Sequence, residues 1–271
     1  MSLESDLFPE LVRWISRNGT GVIVALSGGV DSAVVAFAAK KALGDNAIAI
    51  TANYRTLSQE ELSSAFVVAE EIGIRHKLIQ YDEVANPDFA KNDEARCYHC
   101  RKELGVRLLQ EATRLDANLI VDGTHLDDIG NIRPGIKAME ECNVRSPLLE
   151  LAISKAQIRE IARRLKLSIH DKPPNSCLAS RIPHGTRVTY EKLARIEKSE
   201  NIVKELFNVR QVRVRDHGGI ARIEIQKEEI SLLFDVGKLE NLDTLLKELG
   251  FKYVSIDAKG YRTGSLVLTP N

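Results

Sequence analysis

The stretch Val22-Ile-Val-Ala-Leu-Ser27-Gly-Gly-Val-Asp-Ser32 runs through five apolar residues into two glycines bracketed by serines. A short apolar run of this kind reads as a strand buried on both faces. Asp31 to Leu43, stopping at Gly44, reads as the helix that follows it. Glycines let the backbone turn sharply with its N–H groups facing inward, and the helix brings its positive end to the same place. Ser27 and Ser32 add hydroxyl donors, and Asp31 offers a carboxylate to a magnesium ion that bridges phosphates. Ser27, Gly28, Gly29, Asp31 and Ser32 are therefore candidates for a phosphate cradle. The Gly-x4-Gly-Lys-Ser/Thr loop of kinases and GTPases is absent, as is the Gly-x-Gly-x-x-Gly dinucleotide fingerprint.

Outward from this point, Ala47 to Ala52, His76 to Gln80 and Leu119 to Val121 read as further buried strands. Helical stretches alternate with them: Ser58 to Ile72 stopping at Gly73, Cys97 to Leu115, and one capped by Ser154 that runs to about Leu165. Strand, helix, strand, helix implies an α/β fold with a parallel sheet and right-handed crossovers. The pattern breaks at Asp171-Lys-Pro-Pro-Asn-Ser-Cys177, where adjacent prolines continue neither helix nor central strand. The expected organisation is a nucleotide domain over residues 1–170, a connecting segment over 171–188, and a smaller α+β domain over 189–271. That last part reads as a helix (Tyr190 to Phe207), two alternating strands (Val209 to Arg215 and Ile220 to Gln226), two short helices, and a strand near Tyr253 to Ile256.

The 271 residues carry 38 basic and 38 acidic side chains, a balance that counts against a large nucleic-acid substrate. No stretch approaches the roughly 20 apolar residues of a membrane span, so a cytoplasmic protein with no membrane partner is expected. In that compartment Cys97, Cys100, Cys142 and Cys177 suit metal binding, reactivity or packing better than disulfides. His99, His125 and His217 read as exposed or satisfied, and Trp14 as a core anchor.

The strand-SGGVDS-helix arrangement resembles the pyrophosphate loop of the PP-loop ATP pyrophosphatases, whose doubly wound parallel sheet is HUP-like. Four more stretches narrow the resemblance: Arg96-Cys-Tyr-His-Cys-Arg101, Asp122-Gly-Thr-His-Leu-Asp-Asp128 with Arg133-Pro-Gly135, Cys177-Leu-Ala-Ser-Arg-Ile-Pro183, and Gly260-Tyr-Arg-Thr-Gly-Ser265. Together with the loop they resemble the LarE family of ATP-dependent sulfur transferases over nearly the whole chain. The resemblance implies ATP and Mg²⁺ as cofactors, and a small nucleotide as substrate. A carboxylate of pyridinium-3,5-biscarboxylic acid mononucleotide would be adenylated, pyrophosphate released, and AMP displaced by sulfur, in synthesis of a nickel-pincer cofactor. Relatives also form homo-oligomers. The alternative is another PP-loop enzyme, a tRNA thiolase or an amide-forming synthetase.

The resemblance also assigns residues. In the sacrificial form of the family, Cys177 gives up its own sulfur. Cys97 and Cys100, three apart at a helix start, point the same way and suit one metal centre. Some relatives resemble this arrangement and hold a four-iron four-sulfur cluster on three cysteines, here Cys97, Cys100 and Cys177. Cys142 matches no such motif and reads as packing. Gly123, Thr124 and Asp128 follow a parallel strand, where ligands bind in such sheets, although Asp127 and Asp128 equally suit helix capping. Strand alternation puts Val212 and Val214 on the core face and Arg213 and Arg215 side by side opposite, matching the family's substrate-phosphate arginines. Arg222 reads as part of a solvated face.

Overall fold

Small and β-branched side chains dominate the central strands and the helix that joins them. The computed structural model describes residues 7–128 and 134–262. The first elements are α1 (Leu7–Asn18), β1 (Val22–Ala25), α2 (Val30–Leu43), β2 (Ala47–Asn53), α3 (Gln59–Ile72) and β3 (Arg75–Gln80). Then come α4 (Pro87–Ala90), α5 (Arg96–Arg114), β4 (Leu119–Val121), α6 (Pro134–Glu140), β5 (Val144–Arg145), α7 (Pro147–Glu150) and α8 (Lys155–Arg164). A 3-10 turn (Leu178–Arg181) leads to α9 (Tyr190–Phe207), β6 (Val212–Asp216), β7 (Ile220–Ile225), a second 3-10 segment (Lys227–Leu233), α10 (Val236–Glu248) and β8 (Tyr253–Ile256).

The described residues form two sheets and divide into two units. One unit comprises residues 1–83 and 95–175, the other 84–94 and 176–271. In the first, a parallel sheet runs in the order β3-β2-β1-β4-β5, with Val22 paired to Ala47 on one side and Leu119 on the other. β1 and β2 are buried almost throughout, as read from the sequence. β3 is not, because it has a single neighbour: Arg75 and Gln80 are exposed and only Ile79 is buried. Between the strands, α2 is buried along its length, from Val30 through Ala33, Val34, Val35 and Ala36 to Ala39. Ser58 caps α3 by accepting from the Glu61 amide, and Gly73 ends it in the left-handed region. Ser154 and Gln157 form a reciprocal capping box on α8.

The second unit packs α9 and α10 on a three-stranded sheet, order β6-β7-β8, with β6 antiparallel and β8 parallel to β7. Val203, Phe207, Val212, Val214, Ile223 and Leu242 lie in its core. The stretch 84–94, which the sequence reading kept inside the nucleotide domain, belongs to this unit. Its anchor is Asn92, fully buried, with a left-handed φ of 60° that asparagine tolerates better than other L residues. Its side-chain amide donates to the carbonyls of Pro183 at 2.9 Å and Thr186 at 2.7 Å, and its own carbonyl accepts from Gly185 at 2.9 Å. The Asn92→Ala change removes the side-chain hydrogen bonds to Ile182, Pro183 and Thr186 and adds strain at φ. It should cost about 2–4 kcal/mol, read as a lower urea midpoint for the intact chain.

Candidate active site

β1 and β4 are neighbours in the sheet, and the crossovers leaving them diverge, which is where doubly wound sheets bind ligands. The loop after β1 turns at Gly28, whose φ is +77°. A Cβ there would lie 2.4 Å from the Glu61 carbonyl oxygen of α3. Ser64 and Lys172 each donate to the Gly28 carbonyl at 3.0 Å, so the peptide is pinned from a helix and from the chain beyond α8. Inside the loop, Ser32 Oγ donates to the Gly29 carbonyl at 3.1 Å and accepts from the Ser27 amide at 3.1 Å. The two serine hydroxyls stand 3.1 Å apart. Gly29 is the N-cap of α2 and has no side chain to spend on capping. A helix N-terminus without a side-chain cap is a ready anion site.

The loop after β4 closes on the same backbone. A Cβ on Gly123 would fall 2.6 Å from the Ser32 amide nitrogen, so glycine is what lets the two turns approach. Asp122, buried, fixes this second turn by accepting from the Thr124 amide at 3.0 Å, the Thr124 hydroxyl at 2.8 Å and the Ser146 hydroxyl at 2.7 Å. Asp128 accepts from the His125 amide at 3.2 Å, and Asp127 from the Lys155 amide at 2.6 Å. Asp31, in the first turn of α2, receives both of its hydrogen bonds from Lys155 Nζ, at 2.5 and 2.6 Å. His125 Nε2 lies 3.7 Å from the same carboxylate. The structure thus brings Ser27, Gly28, Gly29, Asp31, Ser32, Gly123, Thr124 and Asp128 together around one helix end.

The cysteines divide. Cys97 is exposed and Cys100 half-buried, one turn apart at the start of α5, with Arg96 Nη2 4.0 Å from Cys97 Sγ. Cys142 is 3% exposed in the core, where a Cβ on Gly105 would meet its sulfur at 2.7 Å. Cys177 belongs to the other unit and is the half-buried residue that opens the 3-10 turn. None of the four is in a disulfide. Cys97 and Cys100 lie in one unit, and Cys177, the third cysteine of the set expected from the sequence, lies in the other. In neither unit do three His, Cys, Asp or Glu side chains gather as a metal site among the described residues.

The turn bearing Cys177 is gripped by arginines. Arg181, wholly buried, donates to the Ser176 carbonyl, to the Cys177 carbonyl at 2.9 Å, and to both oxygens of Glu200 at 2.8 and 2.9 Å. Glu200 also accepts from the Val214 amide at 3.0 Å. Arg215 donates to the Ser180 carbonyl at 3.0 Å and twice to Glu224. The paired arginines of β6 are therefore not on an open face: Arg213 is 4% and Arg215 5% exposed. Burial first, then the nearby Arg181 guanidinium, pushes Arg213 down to about 10. Arg213 donates to the Val212 carbonyl at 2.7 Å and lies 5.4 Å from the centre of the Tyr261 ring. Arg222 is paired with Glu224 at 2.9 Å rather than simply solvated. Arg133 and the stretch 263–265, both part of the motifs read from the sequence, lie outside the described residues.

A synthase for pyridinium-3,5-bisthiocarboxylic acid mononucleotide from Lactiplantibacillus plantarum is 33% identical over 248 residues, covering 90% of this chain and 88% of that protein. The chain belongs to the LarE family. An uncharacterised Synechocystis protein is 44% identical over 90% of the chain and 91% of its own length. The NAD synthase family matches residues 10–108, and an NH3-dependent NAD⁺ synthetase of Chlorobaculum tepidum is 30% identical over 65% of each chain. As a LarE-family member the protein is an ATP-using, adenylating enzyme of the PP-loop class. No helix among the described residues is long and apolar enough to cross a membrane.

Three residues at this loop were not among the site residues read from the sequence. Lys155 follows the Ser154 cap, and a lysine in the first turn of a helix opposes the dipole, which is a legible signal. Lys172, read as part of a connector, donates to the phosphate loop and pairs with Glu61 at 3.0 Å. His125, read as satisfied, is 8% exposed and faces Asp31.

Proposed function

We propose that this LarE-family protein adenylates a carboxylate of pyridinium-3,5-biscarboxylic acid mononucleotide and replaces the activated oxygen by sulfur. The observation that carries the first half is the loop of Ser27, Gly28, Gly29 and Ser32 at the uncapped end of α2, with the Asp31 carboxylate beside it. The substrate follows from the 33% identical relative, whose name specifies the bisthiocarboxylic product. A substrate carboxylate oxygen attacks the α-phosphorus of ATP and the bond to the β-phosphate oxygen breaks. The products are an acyl-adenylate and pyrophosphate. The loop amides and serine hydroxyls stabilise the charge that develops on pyrophosphate, since preorganised donors need no rearrangement as the bond breaks. Asp31 would hold Mg²⁺, which when bound neutralises phosphate charge. Gly123 keeps the loops close, while Thr124 and Asp128 shape the turn that faces the nucleotide.

Sulfur then attacks the acyl carbon and AMP leaves. We assign the source to Cys97, Cys100 and Cys177, which would hold a four-iron four-sulfur cluster; when bound, such a cluster supplies transferable sulfur. What supports this is the pair of cysteines on one turn of α5, which a donor acting alone does not need. The second reading is that Cys177 attacks with its own sulfur and then loses it by β-elimination, leaving dehydroalanine. What supports that reading is the half-buried Cys177 at the start of its own turn, with its carbonyl held by Arg181. Arg213 and Arg215 are proposed to hold the substrate phosphate, for which Arg215 would trade the Ser180 carbonyl for a phosphate oxygen.

Turnover should yield AMP and pyrophosphate, and the Asp31→Asn enzyme should yield less of both while remaining folded; ADP and inorganic phosphate as products would sink the adenylation. Arg213→Ala should weaken substrate binding about 10- to 150-fold in calorimetric titration, with ATP affinity unchanged, as befits loss of charged hydrogen bonds worth about 1.5–3 kcal/mol. Reconstitution with iron and sulfide without oxygen should load the wild-type chain and the Cys142→Ala variant. The Cys97, Cys100 and Cys177 variants should stay unloaded. Wild-type protein that takes up no iron, yet loses the mass of hydrogen sulfide at Cys177 on turnover, would establish the consumed cysteine instead.

A further inference from the structure

The ammonium of Lys155 sits in an electrostatically awkward place. Lys155 is the first residue of α8, directly after the Ser154 cap, and its Nζ reaches Asp31 in the first turn of α2. Two helix N-termini therefore meet near one cation, and each carries partial positive charge that disfavours it. The Asp31 carboxylate offsets this, taking Nζ on both oxygens at 2.5 and 2.6 Å with each side chain about a quarter exposed. The other carboxylates nearby are engaged elsewhere. Asp127 accepts from the Lys155 amide and Asp128 from the His125 amide. Asp31 is held instead by a side-chain ammonium, as Glu61 is by Lys172. A second observation points to a bound group. His125 is 8% exposed and sits among three carboxylates with no hydrogen bond to its Nδ1 among the described residues: Nε2 lies 3.7 Å from Asp31, and Nδ1 3.7 Å from Asp128 and 3.8 Å from Asp127.

We propose that Lys155 is the cation Asp31 holds when no nucleotide is bound, and that it changes places with a divalent metal when nucleotide arrives. The proposal rests on the adenylation reading above. Asp31 would then hold the metal, consistent with the one or two carboxylates that Mg²⁺ ordinarily takes in nucleotide sites. The released ammonium turns to the triphosphate, where the same helix ends that disfavoured it now face anionic oxygens. One lysine neutralises Asp31 in the empty pocket and then clamps the phosphates. A fixed strut between α2 and α8 is the structural alternative, and it predicts no competition with metal.

Mn²⁺ binding followed by electron paramagnetic resonance separates the two, using Mn²⁺ alone and Mn²⁺ with α,β-methylene-ATP. Lys155→Met should bind Mn²⁺ alone about five- to tenfold more tightly than wild type, the size expected for removing a partly exposed competing ion pair. The same variant should bind the Mn²⁺–nucleotide complex about tenfold more weakly. Lys155→Gln serves in its place if Lys155→Met does not fold. Unchanged Mn²⁺ affinity in either variant, with Asp31→Asn losing the metal, makes the pair a strut and overturns the exchange alone. Unchanged affinity for the Mn²⁺–nucleotide complex overturns it as well. Asp31→Asn protein that keeps its Mn²⁺ affinity removes the metal reading of Asp31 and the exchange together.

Discussion

Backbone meets backbone on both sides of the phosphate loop, at Gly28 against the Glu61 carbonyl and at Gly123 against the Ser32 amide. Neither contact tolerates a side chain, so the positions of β1, β4, α2 and α3 are tied to one another through a few peptide groups. The parallel register sets the same constraint from below, since Val22 pairs with both Ala47 and Leu119. Small residues along α2 follow from it, because the helix has to lie deep enough for its first turn to reach the gap between two loops. Polar groups at the loop are then oriented without reference to solvent. The serine hydroxyls satisfy loop backbone and each other, and Lys172 and Ser64 hold the Gly28 carbonyl.

The second unit is organised by charge inside its core rather than by close backbone approach. Glu200 joins Arg181 to the Val214 amide, and Glu224 joins Arg215 to Arg222. Buried ion pairs contribute little net stability, since desolvation offsets much of the attraction, but they define geometry when every donor is used. Here they define the turn around Cys177, whose carbonyls are the acceptors that the guanidiniums need.

Much of the first unit was legible because its signals are local. Five apolar residues before two glycines mark β1 and its loop, Ser58 and Ser154 mark helix starts, and Gly73 marks a helix end. β5 was not legible, since Val144 and Arg145 form a strand only because β4 is there to pair with. Arg213 and Arg215 were placed opposite the core by strict alternation, a rule that assumes one face of the sheet meets water. All five residues of β6 are buried instead. Within the site, residue types at fixed spacing revealed the loop, whereas Lys172, more than 140 positions away, is brought to it only by the fold.

The excursion of residues 84–94 sets the order in which the chain can finish folding. Asn92 waits for partners some 90 residues later in the sequence, at Ile182, Pro183 and Thr186. At a synthesis rate of about 5–20 residues per second, that interval is on the order of ten seconds. During it, the Asn92 side chain lacks the carbonyls it will bind. Neither unit is one uninterrupted stretch, so no single cut in the gene separates them, and a nascent chain halted before position 176 carries a segment whose home does not yet exist.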